Sequence, residues 1–249
     1  MADLYQYRTA PDEPLDCIYI LHTAGSDPIG NIAFEAKEKR ALRNKVKGLA
    51  PRGEEGELIS GECPLDLARR VTFVGLGEAK ELTHGKLRSA LRRVMRQATK
   101  NREYQIGLAV SARVHGLSEA DARLFALREA SIADYTFDRY KSKKNEFDKI
   151  DGLHILPLAK ESEEDLETRL KSVRLVRTSV QLARDLANRP GNDLTPEGMA
   201  LAAREMAEGL SGLRVTVLGK KELLKEKMGG ILAVSQGSAE EPRLVVLEH

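Results

Sequence analysis

The sequence predicts an α/β protein with a largely parallel or mixed sheet. Short apolar, β-branched runs alternate with longer segments whose apolar residues recur at three- and four-residue steps. Aromatic residues are scarce at 4%, with no Trp, so Leu, Val, Ile and Ala must fill the core. Apolar content of 41% and charge of 31% over 249 residues are ordinary for a globular chain able to bury one or two cores.

The elements follow in order. Leu15 to Leu21 reads as a strand, and Asn31 to Lys47 as a charged surface helix. Pro51 to Gly56 is turn-rich, and Glu57 to Gly61 is a strand candidate. Arg70 to Val74 is a buried strand. Thr83 caps a helix running to about Lys100, with Leu87, Leu91, Val94, Met95 and Ala98 on one stripe. Ile106 to Val110 is a further strand. Ser118 caps a helix to Ala133, with Asp121 in its first turn as the helix dipole favours. Leu153 to Leu158 is a strand interrupted by Pro157.

From Glu161 to Asn188 the pattern is one long helix, with Leu166, Leu170, Val173, Val176, Val180, Ala183 and Ala187 in register. Asp185 to Glu197, DLANRPGNDLTPE, then turns the chain and opens another helix. Pro190 and Gly191 break regular structure. Thr195 is suited to N-cap the next helix, with Pro196 at its first position. That helix reaches Leu210. A strand at Leu213 to Leu218, a helix at Lys220 to Lys227, and strands at Ile231 to Val234 and Leu244 to Leu247 complete the reading.

Four segments carry a resemblance: VTFVGLGEAKELTHGKL at Val71 to Leu87, YTFDRYKSKK at Tyr135 to Lys144, ANRPGNDLTP at Ala187 to Pro196, and MGGILAVSQGSAEEPRLVVLE at Met228 to Glu248. In this order they resemble the leucyl aminopeptidase (cytosol aminopeptidase) family of two-metal exopeptidases. The resemblance implies a macro-domain-like α/β sandwich over residues 1–160. It implies a connector helix over 161–189 and the incomplete start of an α/β catalytic domain over 190–249. The family's metal ligands and catalytic lysine lie in segments like KG-x-TFD-x-GG and NTDAEGR, and neither string occurs here. No catalytic, cofactor-binding or metal-ligating residue is therefore carried over.

The implied function is that of the N-terminal portion of a metal-dependent aminopeptidase that removes N-terminal residues from peptides. Two divalent ions, Zn or Mn, and a homo-hexamer belong to the full-length family. This chain alone is expected to hold no metal pair and to be inactive. A stand-alone nucleotide- or DNA-binding α/β module is the alternative.

Other candidate chemistry has a plainer reading. Glu81 and His84 stand three apart, but Thr83 as a cap leaves Glu81 outside the helix. Gly75-Leu76-Gly77 after a strand could cradle phosphate, or serve as a tight turn. Lys141, Lys143 and Lys144 beside Arg139 and Tyr140 form a basic cluster diluted by Asp138, Glu146 and Asp148. Arg88, Arg92, Arg93 and Arg96 read as a helix's polar face. Ser235-Gln236-Gly237-Ser238 lacks a nucleophile-elbow pattern. The acidic group Glu161, Glu163, Glu164 and Asp165 suits a helix start. His22, His84, His115, His154 and His249 are dispersed, and Cys17 and Cys63 form no framework. The net charge of +2 argues against a nucleic-acid partner. No apolar run suits a membrane span and the start is no leader, so a cytoplasmic setting is expected.

Overall fold

The computed structural model describes residues 3–6, 13–112, 114–143, 150–157 and 163–249. The chain divides into two compact units, Met1–Gln181 and Leu182–His249.

The first unit is built on six strands: β1 (Asp3–Gln6), β2 (Leu15–His22), β3 (Leu58–Glu62), β4 (Ala68–Gly75), β5 (Gln105–Ser111) and β6 (Gly152–Ile155). Their spatial order is β1-β6-β5-β2-β4-β3. All neighbours are parallel except β3, which runs antiparallel to β4. β2 is central and buried on both faces, which is why it reads as a continuous apolar run rather than an alternation.

One face carries α2 (His84–Lys100) and α3 (Glu119–Ala133). Cys17, Tyr19 and Leu21 from β2 meet Leu87, Leu91, Val94, Ala122 and Ala126 there. The other face carries α1 (Ala36–Leu49), with Ile18, Ile20, Phe73 and Leu42 at its centre. Thr83 caps α2 by accepting the Lys86 N–H at 3.3 Å, and Ser118 caps α3 by accepting the Asp121 N–H at 3.1 Å. Both caps are the ones the sequence predicts.

Buried charge is held locally. The Tyr19 hydroxyl donates to buried Glu103 at 2.5 Å, the Asn101 amide donates to its other oxygen at 3.0 Å, and Arg70 stands at 3.7 Å. Wholly buried Arg123 donates to the Leu156 carbonyl at 2.7 Å. Burial, with Arg169 nearby, lowers its guanidinium to about 10.

Helix α4 (Glu163–Asn188) gives its first turns to this unit. Leu166, Leu170 and Val173 are buried in the α2–α3 core, whereas Val176 farther along the expected stripe is exposed. Glu161 and Ser162, where the sequence would start this helix, lie outside the described residues.

The second unit holds the last turns of α4, α5 (Pro196–Glu208), β7 (Arg214–Leu218), α6 (Lys220–Lys225), α7 (Gly229–Ser235) and β8 (Leu244–Glu248). β7 and β8 form a two-stranded antiparallel sheet. The sequence expectation of a strand at Ile231–Val234 is wrong: those residues form α7. A four-residue apolar run cannot by itself distinguish strand from helix, and here Met228 accepts the Leu232 N–H, closing a helical turn. One further expectation is corrected, and one strand has no counterpart in the sequence reading. β1 was not anticipated, and α1 begins at Ala36 rather than Asn31, because Ile29 and Ile32 anchor an irregular loop into the core.

Candidate functional site

In an open α/β sheet, ligands favour the carboxyl ends of strands where the connection order reverses. That point here is the end of β2, flanked by β4 on one side and β5 on the other, with His22 opposite both Gly75 and Ser111. It is filled by protein. The Gly75 N–H donates to the Glu57 carbonyl at 2.9 Å, Leu76 to His22 at 3.0 Å, and Gly77 to Gly53 at 2.8 Å. A phosphate would find no free backbone donor in this turn. Gly75 is required by contact: a Cβ there would lie 2.0 Å from the Glu54 carbonyl oxygen. On the β5 side, Ser111 Oγ donates to the Asp27 carbonyl at 3.1 Å, and Gly30 packs directly against it. Gly75-Leu76-Gly77 is thus a packing turn.

His22 is buried beneath these loops, its Nδ1 3.3 Å from the Thr23 carbonyl and its ring edge-on to Phe73. Burial lowers its basicity. His154 is buried on β6 with Nε2 3.0 Å from Gln105 Oε1, and burial pulls it down to about 4.

Glu81 and His84 do not come together as ligands. Glu81 lies in a single 3-10 turn (Ala79–Glu81) and pairs with Lys86 at 3.5 Å. His84 stacks on Phe125 with centroids 5.2 Å apart. Arg128 covers the same ring at 4.9 Å. Arg88 pairs with largely buried Glu129 at 2.7 Å, joining α2 to α3, so it does more than decorate a polar face. Arg92 and Arg96 are exposed, as expected, and Arg93 is half-buried.

Lys141 and Lys143 are exposed beside an edge-on Phe137–Tyr140 pair; Lys144, Glu146 and Asp148 lie outside the described residues. The Ser235 hydroxyl donates to the Leu232 carbonyl at 2.8 Å, and Ser238 Oγ accepts the Glu240 N–H at 3.1 Å, so both serve local turns. Cys17 is buried against Thr72 at 3.2 Å, and burial pushes its thiol up to about 12. Cys63 is partly buried. Among the described residues, no three His, Cys, Asp or Glu side chains converge as a metal site, and no helix is long and apolar enough to cross a membrane.

The turn expected at Asp185 to Glu197 forms and is tied by its own side chains. Arg189 pairs with Asp193 at 2.6 Å, Leu194 N–H donates to the Pro190 carbonyl, and Thr195 accepts the Gly198 N–H at 3.1 Å. Beyond it, the second unit is thinly packed. Its only buried residues are Ala200, Leu223 and Pro242. An open groove of about 540 Å³, lined by Pro196, Ile231, Val234, Ser235, Pro242 and Arg243, runs along α7, and Val234 is 89% exposed. Sequence reasoning missed this bare apolar face, because an apolar pattern does not say whether its partner is present.

The family model described as "Cytosol aminopeptidase family, N-terminal domain" matches residues 28–144, and "Cytosol aminopeptidase family, catalytic domain" matches residues 181–249. The chain is 36% identical over 212 residues to a probable cytosol aminopeptidase of Syntrophotalea carbinolica, covering 84% of this chain and 42% of the relative. It is 33% identical to one of Cenarchaeum symbiosum, covering 94% and 45%. The chain therefore spans less than half the length of these relatives. In fold it is similar to the bottromycin maturation enzyme BotP in complex with Mn (TM-score 0.69, 24% identity, 94% of this chain and 45% of that one). It is likewise similar to a mutant of tomato leucine aminopeptidase (TM-score 0.76, 21% identity, 99% and 50%). Two models of one family, matched in order and joined by the long helix, show that the chain belongs to the cytosol aminopeptidase family.

Proposed function

We propose that these residues are the N-terminal domain, connector helix and first part of the catalytic domain of a metal-dependent aminopeptidase. The domains run over 1–160, 161–189 and 190–249. The whole enzyme removes N-terminal residues from peptides in the cytoplasm and assembles as a homo-hexamer. Two divalent ions, Zn or Mn, would supply the whole enzyme with its Lewis acid and activated water. Among the described residues no group of three His, Cys, Asp or Glu side chains is placed to hold such an ion.

The stretch matched to the catalytic domain buries only three of its own residues and leaves α7 and both outer edges of the β7–β8 sheet uncovered. A domain with so little core is not self-sufficient. The remainder of a catalytic domain is the covering that the family relation supplies. The phosphate-binding alternative loses support at the Gly75–Gly77 turn, whose donors are all engaged.

The test has two arms. The 249-residue chain is expected to show no Mn- or Zn-dependent hydrolysis of leucine amide. A chimera that continues after Glu248 into the rest of the Syntrophotalea carbinolica relative's catalytic domain is expected to gain it. Metal-dependent turnover by the short chain, or a folded chimera without turnover, refutes the proposal.

A further inference from the structure

Helix α2 carries Lys86, Arg88, Arg92, Arg93, Arg96 and Lys100 in seventeen residues and has no Asp or Glu. Lys86 and Arg88 are committed, to Glu55 and Glu81 and to Glu129. Among the described residues, Arg92, Arg96 and Lys100 have no such carboxylate; Arg96 Nε donates only to the Arg92 backbone carbonyl, at 3.3 Å. They recur every four residues, about 6 Å apart along one edge of the helix, and all three are exposed. No carboxylate pairs with them among the described residues. By contrast, exposed Arg43, Arg169 and Arg174 pair with Asp27, Asp121 and Glu167. The chain's small net charge conceals this local row.

A row of exposed cations without counter-charges holds a concentrated positive potential and favours an extended anion. Arginine forks suit phosphate oxygens in particular. The row is one residue wide, and α2 has no Phe, Tyr or Trp on which nucleic-acid bases could stack. Its apolar residues Leu87, Leu91, Val94 and Met95 all face the core, leaving nothing to enter a lipid surface.

We propose that this edge of α2 binds a linear phosphate chain without bases, that is, inorganic polyphosphate. Titration of the intact chain with end-labelled long-chain polyphosphate, read by anisotropy at low salt, should give saturable binding that weakens steeply as salt is added. The triple variant R92Q/R96Q/K100Q keeps good helix formers and should bind about tenfold more weakly, as expected on losing several phosphate contacts. The control K37Q/R40Q/K47Q removes the same charge from exposed sites on α1, on the other sheet face, and should bind as the parent does. Circular dichroism of both variants establishes that they are folded. Three results overturn the proposal: no binding at low salt, equal weakening in both variants, or tighter binding of mixed-sequence single-stranded DNA at equal phosphate concentration.

Discussion

Arg189 and Asp193 close the turn between α4 and α5 by a two-pronged contact. The guanidinium Nε donates to the Asp193 carboxylate at 2.6 Å, and Nη2 donates to the Asp193 backbone carbonyl at 3.1 Å. The side chains are only 18% and 31% exposed. Charge-assisted bonds in partly dry surroundings exceed an ordinary surface pair. Arg189→Ala is expected to lower stability by about 1–2 kcal/mol, and a double-mutant cycle with Asp193→Ala to show coupling of about 1 kcal/mol. Urea denaturation followed by circular dichroism measures both; additive losses would mean the contact is incidental.

Gly75 and Gly116 should respond differently to alanine. At Gly75 a Cβ would meet the Glu54 and Gly53 backbone, at 2.0 and 2.8 Å, which cannot yield as a flexible side chain does. Gly75→Ala is expected to cost about 2–4 kcal/mol. Gly116 has φ +78° and open space, so Gly116→Ala carries only backbone strain, about 1 kcal/mol. Comparison of urea midpoints decides. Equal costs would show that the loop holding Glu54 is not fixed against β4.

How much of this was legible depended on whether the determinant was local. Thr83, Ser118 and Thr195 cap the helices the sequence assigns, since a cap needs only its own next three residues. The turn at Asp185 to Glu197 is legible for the same reason. β1 was not, because its four residues become a strand only by pairing with β6, nearly 150 residues away. α7 departs from the strand its sequence suggests because neighbours, not β-branched composition, fix a short apolar run. The filled crevice at Gly75 depended on where the 53–57 loop folds, which no turn motif states.

Stability should fall on mild acidification. Burial takes His154 from its ordinary 6.5 to about 4 and lowers His22 in the same direction. The unfolded chain then binds protons that the folded chain refuses. The stabilisation is complete above pH 6.5 and is lost as pH falls from there through the folded value. For His154 it amounts to at most about 3 kcal/mol. His154→Gln should flatten the dependence of the urea midpoint between pH 6.5 and 4.5. An unchanged slope would mean that His154 titrates in the folded state as it does in the unfolded one.

Cys17 should be chemically silent in the native protein. It is buried against Thr72, and burial with Glu103 nearby raises its thiol to about 12, so almost no thiolate exists near neutral pH. A thiol-specific chromogenic reagent at pH 8 is expected to modify Cys17 only on unfolding. Peptide mapping that finds rapid labelling of Cys17 under native conditions would show that β2 opens locally.

Leu223 and Val234 give the sharpest contrast within the second unit. Leu223 is wholly buried, the one Leu, Ile or Val of that unit that is, while Val234 is 89% exposed on α7. Leu223→Ala is expected to cost about 2–4 kcal/mol through lost burial and a residual cavity, and Val234→Ala less than about 0.5 kcal/mol. The order should change once the catalytic domain is completed. In the chimera extended past Glu248, α7 acquires a covering, and Val234→Ala should then cost about 1 kcal/mol or more. Val234→Lys should reduce binding of a hydrophobic dye by the short chain and impair folding of the chimera. If Val234 remains indifferent in a folded, active chimera, α7 is a solvent-facing helix, and the bare groove along it is no part of the catalytic domain's core.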